Sequence, residues 1–577
     1  MTSIGIDFGT TNSVAALYGS SGAEVISIGE PPAEWEELGG YSRLLPSVVN
    51  VDDAGHLRFG WDAKLTTSGR RFEAVKRLLK EDEVVNAGDH DFLVEEVAAS
   101  IFRHIRSRVV ANGIDFDSAV ITVPSNSRGL ARYRTKVCAG LGEIEPIALL
   151  NEPTAAAMAF TLRHLRADQS ILVFDFGGGT LDVTVLEARD GVFFEQASKG
   201  IPQLGGMDFD AAIMRAIAED VPGSEQWTPE QKARVRLEIE KAKIRLSAGN
   251  IDETVIVVEG AISGYRLTLP RFNEITRHLV ERSGSAIEAV MRDLRMGPGD
   301  VDALLLVGGT SKVPSVRQFA AEKVGREPEP GVDPMTAIAE GAAIAAAILD
   351  GRLDNHDFFV STEHALGTIA LDVQARGLAF ATVIPRNQKL PARQTEIFYP
   401  IFDGQESVMV QVVEGDPDKD LNHPDNQILT EFEVPIDPPR PVDQAGFELT
   451  YTYDTDGLLH IEAKDMATGE ALTDAVTVSF RGARDGGELV SMAGKVRSMV
   501  DSGKLDDSAA SAASTVQDPR SADLLSKART RVIPFLDDSG AQPLIELCGA
   551  LESAGPEKRE SLQDQLEREL RKYSYLF

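Results

Sequence analysis

Cysteine is nearly missing from this 577-residue chain. Cys138 and Cys548 are the only two and lack metal-ligand spacing, so neither a disulfide framework nor a zinc site is suggested. Long apolar runs are missing too, and no stretch approaches the length of a membrane span. Positive charge is scarce. Lys and Arg number 58 against 90 Asp and Glu, and the net charge of -32 argues against nonspecific binding to nucleic acid or to an anionic membrane. The first residues carry no basic-then-apolar signal segment, which makes the cytoplasm the expected compartment.

What is present is too long for one core, so two to four domains are expected. One stretch occurs twice. Ile4 to Asn12 and Ile171 to Asp182 each run an apolar strand into Asp-Phe-Gly, as Asp7-Phe8-Gly9-Thr10-Thr11-Asn12 and as Asp175-Phe176-Gly177-Gly178-Gly179-Thr180. Each then resumes as a strand, from Val14 to Leu17 and from Val183 to Leu186. Glycine lets the backbone approach a ligand closely, and successive N–H groups in such a turn form an anion-binding concavity. The threonine hydroxyls add donors. An aspartate at the strand end cannot bind phosphate directly, so its job in this setting is to hold a hydrated Mg²⁺. A single Asp-x-Gly-Thr is weak and reads as an ordinary hairpin. Two copies with matched strands read as a two-sided phosphate clamp in two similar half-domains.

Between and beyond the hairpins, strands and helices alternate. Val94 to Val110 has apolar residues at helical spacing, and Ala119 to Val123 reads as a buried strand stopped by Pro124. Asn151-Glu152-Pro153-Thr154 opens a helix, since Asn can cap and Pro suits the first helical position, which puts Glu152 at a helix mouth. Arg71 to Leu78 reads as a helix or a loop leading into one. Downstream, Gly205-Gly206 precede a helix, Pro229 to Ser247 is strongly helical, and the strand Ala303 to Val307 enters Gly308-Gly309-Thr310-Ser311-Lys312 ahead of a helix. Glu340 to Ile348 is a small-residue helix suited to close packing where the halves meet. Composition changes after Asp350. Residues 351–363 are polar except for Phe358-Phe359-Val360, Ile369 to about Phe480 is strand-rich, and the pattern is helical from about 487. The strand-rich segment has a clear acidic excess, which favours basic partners.

In this order, the motifs resemble a known family. The two Asp-Phe-Gly hairpins, Asn151-Glu152-Pro153-Thr154-Ala155-Ala156, Leu306-Val307-Gly308-Gly309 and Glu340-Gly341-Ala342-Ala343 are similar to those of the seventy-kilodalton heat-shock chaperones of the DnaK type. The similarity covers residues 1 to about 485, and the helical tail only in kind. It implies a multidomain fold, α/β plus β: an actin-like two-lobed ATPase domain at 1–350, a linker at 351–363, a β-sandwich that grips extended peptide at 364–486 and a short α-helical lid at 487–577. It also implies an ATP-dependent chaperone with slow, Mg²⁺-dependent ATPase activity, binding ATP or ADP with Mg²⁺ and with K⁺ as a further ion. The implied partners are unfolded polypeptides, a J-domain co-chaperone and a nucleotide-exchange factor, with no role for nucleic acid or membrane.

Carried over position by position, the resemblance has Asp7, Asp175 and Asp182 order Mg²⁺ and its waters while Glu152 positions them and the attacking water. Gly9, Thr10, Thr11, Asn12, Gly177, Gly178, Gly179 and Thr180 would cradle phosphates, with Gly205 and Gly206 beside them. Lys76 would neutralise charge at the γ-phosphate; outside the resemblance it reads as a surface lysine. Glu240, Lys243 and Ser247, on one helical face, would meet adenosine together with Gly308, Gly309 and Lys312. On their own they read as an ordinary charged helix face. Pro124 and Arg132 match the pair that relays nucleotide state to the second domain, with Phe358, Phe359 and Val360 as the linker's contact. Phe398, Ile401, Val408 and Val410 match positions lining or arching over the peptide groove, while alternation alone reads some of them as sandwich core.

Some features depart from the family pattern, as in a divergent, bacterial-type member. Lys312 stands where arginine is usual, Met335 replaces an acidic residue, and the linker lacks a leucine-rich run. Two other classes compete. An actin-like filament protein would share the hairpins but has no reason to carry a β domain. A small-molecule kinase of the same fold needs an acceptor pocket with a catalytic base, and the sequence offers no sign of one.

Overall fold

Two sheets built on the same plan carry the two hairpins. In the first, Ile4–Phe8 runs antiparallel to Asn12–Gly19 and parallel to Ser118–Val123, which is parallel in turn to Glu145–Asn151. In the second, Gln169–Phe176 runs antiparallel to Leu181–Arg189 and parallel to Ala303–Val307, with Val192–Ile201 on the far side of the hairpin. Both central strands are apolar on both faces, with Ile4, Ile6, Phe8, Ile171, Val173 and Phe174 fully buried, as helix-covered parallel sheets require.

Helices Glu152–His164 and Ala337–Leu349 pack on each other and on both sheets, touching Val120 and Leu150 of the first and Val173 and Leu305 of the second. Small residues permit this. A β-carbon at Gly341 would fall 1.8 Å from the carbonyl oxygen of Ala155. The small-residue helix is thus present and slightly longer than its sequence pattern suggests. Pro229–Ser247 forms as expected, because Thr228 and Gln231 close a capping box ahead of a proline at the first helical position. The segment Arg71 to Leu78 differs. Arg70–Phe72 pairs as a strand with Val49–Val51, and only Val75–Leu78 is helical.

Further along, two four-stranded antiparallel sheets share one apolar core. The first runs Gly377–Ile384, Ala365–Asp372, Ser407–Gly415, Gln427–Pro435; the second runs Ala392–Phe398, Phe447–Tyr453, Leu459–Asp465, Val476–Val478. Leu366, Val412 and Val434 of one face Leu449, Tyr451 and Ile461 of the other in that core. The chain divides into two compact units, Met1–Ala483 and Arg484–Phe577. In the second unit, helices Gly486–Ser502 and Pro556–Arg571 are described, and Leu566 and Leu570 pack with Leu544, Cys548 and Leu551.

The computed structural model describes residues 2–52, 54–79, 84–87, 90–125, 127, 129–164, 169–189, 192–353, 364–372, 377–386, 388, 391–423, 426–453, 459–473, 476–478, 486–503, 528, 544, 547–548, 550–551 and 556–571. Phe358, Phe359 and Val360 lie outside the described residues. Among the described residues, no helix is long and apolar enough to cross a membrane.

Candidate active site

Asp7, Glu152, Asp175 and Gly308 all stand at or just past the carboxyl end of a strand with a parallel neighbour, where open α/β sheets bind their ligands. There the structure gathers three carboxylates, Asp7, Glu152 and Asp175, around one ammonium, with Asp182 beside Asp175. Lys76 Nζ is bonded to Glu152 Oε1, with both side chains nearly buried, and it lies 5.9 Å from the centre of the Phe8 ring. Asp175 and Asp182 face each other across their hairpin. Thr122 Oγ1, on the neighbouring parallel strand, donates to Asp7 Oδ1 at 2.9 Å. Lys76 reaches this centre because Ala74 adopts a left-handed φ of 55° that turns the chain into Val75–Leu78. For a residue other than glycine that conformation stores strain, a common feature of functional sites.

The electrostatics follow from crowding. Burial first, and then Glu152, raise Asp7 to about 6, against the pull of Lys76 and the Thr122 hydrogen bond. Burial, then Glu152, Asp182 and Asp7, push Asp175 well above the usual carboxylate range. For Lys76, burial opposes the charge, but Glu152, Asp7 and Asp175 hold the ammonium above its ordinary value. The centre is therefore short of positive charge. Among the described residues, no three potential ligands stand close enough to bind a metal directly.

Beside this centre the hairpins form a cradle. A β-carbon at Gly178 would lie 1.9 Å from Thr11 Oγ1, and one at Gly205 would lie 2.4 Å from the Gly178 carbonyl carbon. Gly206 N donates to Gly177 O at 3.1 Å, Met207 N donates to Gly178 O at 2.8 Å, and Thr310 Oγ1 donates to Gly177 O at 2.8 Å. Gly9, Thr10 and Asn12 stand on the opposing first hairpin, and Thr180 closes the second by accepting from Gly177 N at 3.0 Å. Thr11 Oγ1 and Asn12 Oδ1 are buried without a hydrogen-bond partner. Arg77, which the sequence reading passed over, packs its guanidinium beside Gly179 with Nε and Nη2 also unpartnered. Buried polar atoms rarely stay unsatisfied, so these point to a missing ligand. Gly308 is required twice, by its φ of 77° and because a β-carbon there would strike Phe176 at 2.5 Å and Asp175 Oδ1 at 2.7 Å.

The residues expected at adenosine are tied to other side chains. Glu240 Oε1 accepts from Lys64 Nζ at 2.7 Å, and Lys64 Nζ lies 4.7 Å from the Trp35 ring and 5.3 Å from the Trp61 ring. Burial opposes ionisation of Glu240, yet Lys64 and then Lys243 hold it below its usual value. Lys243 bonds Asp210 and the carbonyl of Gly206, and Ser247 Oγ donates back to Lys243 O at 2.7 Å. Lys312 reaches Asp333 at 3.5 Å, and Met335 Sδ would sit 3.1 Å from a β-carbon on Gly309.

At the relay positions, Pro124 O accepts from Ser127 N at 2.9 Å and Arg132 Nη1 donates to Asn151 Oδ1 at 3.0 Å, one residue before Glu152. The four expected peptide-groove residues separate. Ile401 is 66% exposed beside exposed Phe402 and Tyr399, Phe398 and Val408 are half-buried against the core, and Val410 is 3% exposed. Val410 shares its strand face with Val408 and is buried in the core cluster against which Val408 and Phe398 pack, as alternation alone also reads it.

Comparison with known proteins adds a match over residues 71–518 to the family model described as Hsp70 protein. The chain is 35% identical over 499 residues to the Chaperone protein DnaK of Thermotoga neapolitana, covering 82% of this chain and 80% of that one. It is likewise 35% identical over 484 residues to the protein of that name from Thermosipho africanus, covering 81% and 78%. The protein of that name from Cenarchaeum symbiosum is 32% identical over 496 residues, covering 84% and 74%.

Proposed function

The chain belongs to the Hsp70 family, and from that premise we propose that its two hairpins close on the phosphates of ATP while its paired antiparallel sheets grip extended peptide. It is an ATP-dependent molecular chaperone and a slow ATP hydrolase, binding ATP or ADP with Mg²⁺. The filament and small-molecule kinase readings are not favoured. The observation that carries the site assignment is the meeting of four carboxylates, one lysine and two glycine hairpins at the strand ends, with orphaned donors beside them.

In this reading Asp7, Asp175 and Asp182 would hold a hydrated Mg²⁺, which when bound would supply positive charge to the phosphates. Glu152 orients the attacking water and accepts its proton as the new bond to the γ-phosphorus forms and the bond from that phosphorus to the β–γ bridging oxygen breaks, ADP leaving with the bond's electron pair. Lys76, fixed against Glu152, supplies charge to the γ-phosphoryl, where catalysis is mostly positioning and electrostatics. Thr11, Asn12, Arg77 and the N–H groups around Gly178 hold the phosphates. Glu240, Lys243, Ser247 and Lys312 frame the nucleoside end, and Pro124 and Arg132 pass nucleotide state onward. Residues 1–350 would form the actin-like two-lobed ATPase domain, residues 364–486 a β-sandwich with Phe398, Ile401, Val408 and Val410 lining or arching over its groove, and residues 487–577 a short lid. Extended peptide would add backbone hydrogen bonds and seat an apolar side chain there. A J-domain co-chaperone, a nucleotide-exchange factor and a cytoplasmic setting belong to the same proposal.

Single-turnover hydrolysis by Asp175→Asn and Lys76→Ala tests the site. Losses of about a hundredfold or more are expected for positioned electrostatic groups. Wild-type rates in both would overturn the assignment.

A further inference from the structure

Glu195 sits buried on the strand Val192–Ile201, and side chains from other elements donate to it. Asn151 Nδ2 at 2.8 Å and Thr154 Oγ1 at 3.2 Å reach Oε1, and Ser125 Oγ at 3.1 Å reaches Oε2. Asn151 precedes Glu152 and Thr154 lies in the first turn after it, so one carboxylate holds the chain on both sides of Glu152. The Asn151 amide has a single consistent orientation. Its oxygen accepts from Arg132 Nη1, which leaves its NH₂ for Glu195. Ser125, two residues past the end of the strand Ser118–Val123, also meets Thr184 Oγ1 and Ser198 Oγ, each at 3.3 Å. Thr184 shares its strand face with Asp182, two residues earlier. Glu195 thus joins the start of the Glu152 helix, the chain just past Pro124 and the second hairpin.

We propose that Glu195 is a positioning residue for ATP hydrolysis: by fixing Asn151 and Thr154 it sets where the Glu152 carboxylate stands, and through Asn151 it ties that position to Arg132. The inference rests on Glu152 acting in hydrolysis. A buried carboxylate is costly unless its oxygens are hydrogen-bonded, and here both accept. An amide at this position would keep one acceptor oxygen and present NH₂ to groups that donate to Glu195.

Glu195→Gln tests this. The single-turnover rate at saturating ATP should fall between roughly tenfold and a hundredfold, the range for a displaced catalytic group, with ATP affinity unchanged. Adding Asn151→Asp reverses donor and acceptor, keeps an acceptor for Arg132 and should recover most of the rate. A wild-type rate in Glu195→Gln, or a loss that the exchange does not recover, would overturn the proposal. Glu152→Gln is measured in parallel. If it is slow while Glu195→Gln is not, only the positioning role fails; if it turns over like the wild type, the catalytic reading fails and this inference with it.

Discussion

Thr11 Oγ1 occupies the space that a β-carbon on Gly178 would need, 1.9 Å away, so the two hairpins meet through what glycine leaves out. Gly178→Ala should push Thr11 aside and weaken ATP binding by roughly tenfold or more, the scale of one lost charge-assisted hydrogen bond. The double variant with Thr11→Ala should bind ATP no more tightly than Gly178→Ala, because it removes the same hydroxyl and leaves the residue 11 β-carbon 2.9 Å from the new one. Calorimetric titration with ATP checks this, and unchanged affinity in Gly178→Ala would contradict the cradle.

The crowded carboxylates should cost stability when no ligand is bound. Asp7 has a folded pKa of about 6, above the ordinary 3.8, so between those values the folded protein holds the extra proton. Ligand-free stability should therefore fall as pH rises from about 4 to 6. Asp7→Asn keeps an oxygen for Thr122 and removes the repulsion. In EDTA at pH 7 it should be more stable than wild type, on the order of 1–3 kcal/mol. Adding MgATP should stabilise the wild type more than the variant. Denaturant melts with and without MgATP measure both effects, and a less stable ligand-free variant would refute the charge argument.

Lys64 and Glu240 join a short helix beside the first sheet, Gly60–Leu65, to the long helix Pro229–Ser247, across the side of the cleft assigned to adenosine. Lys64→Met should loosen that closure by about 1.5 kcal/mol and speed release of labelled ADP by roughly tenfold. Because Lys64 Nζ lies over Trp35 and Trp61, their emission should shift with the same substitution. Stopped-flow release at the wild-type rate would remove the latch from the account.

Repeated local patterns made the hairpins, the Glu152 helix mouth and the capped helix Pro229–Ser247 legible, since in each case neighbouring residue types dictate the geometry. Long-range pairing was not legible. Nothing near Lys64 announces Glu240, nor does anything near Glu195 announce Asn151. Arg77 was hidden by its neighbour Lys76, because only the left-handed turn at Ala74 shows that both can point toward the phosphate cradle. Depth within one strand face was not legible either: Val408 and Val410 share a face, yet the first is half-buried and the second 3% exposed.

Ile401 and Phe402 are 66% and 62% exposed in a strongly acidic segment. Apolar peptides with basic flanks should therefore bind more tightly than the same peptides with acidic flanks, and the difference should shrink with salt as exposed charges are screened. Ile401→Asp should weaken the apolar contribution without altering ATP hydrolysis in the absence of peptide. Equal binding of both flank variants at low salt would contradict the acidic-surface argument.

The central claim is that nucleotide state governs the grip on peptide, and coupling of that kind must be reciprocal. The most direct measurement is the dissociation rate of a fluorescent apolar peptide from the ADP-bound protein after mixing with ATP, paired with the hydrolysis rate at saturating peptide. The account predicts faster release on ATP and faster hydrolysis with peptide, with both responses lost in Arg132→Ala. Release at one rate in ATP and ADP, together with hydrolysis indifferent to peptide, would contradict it.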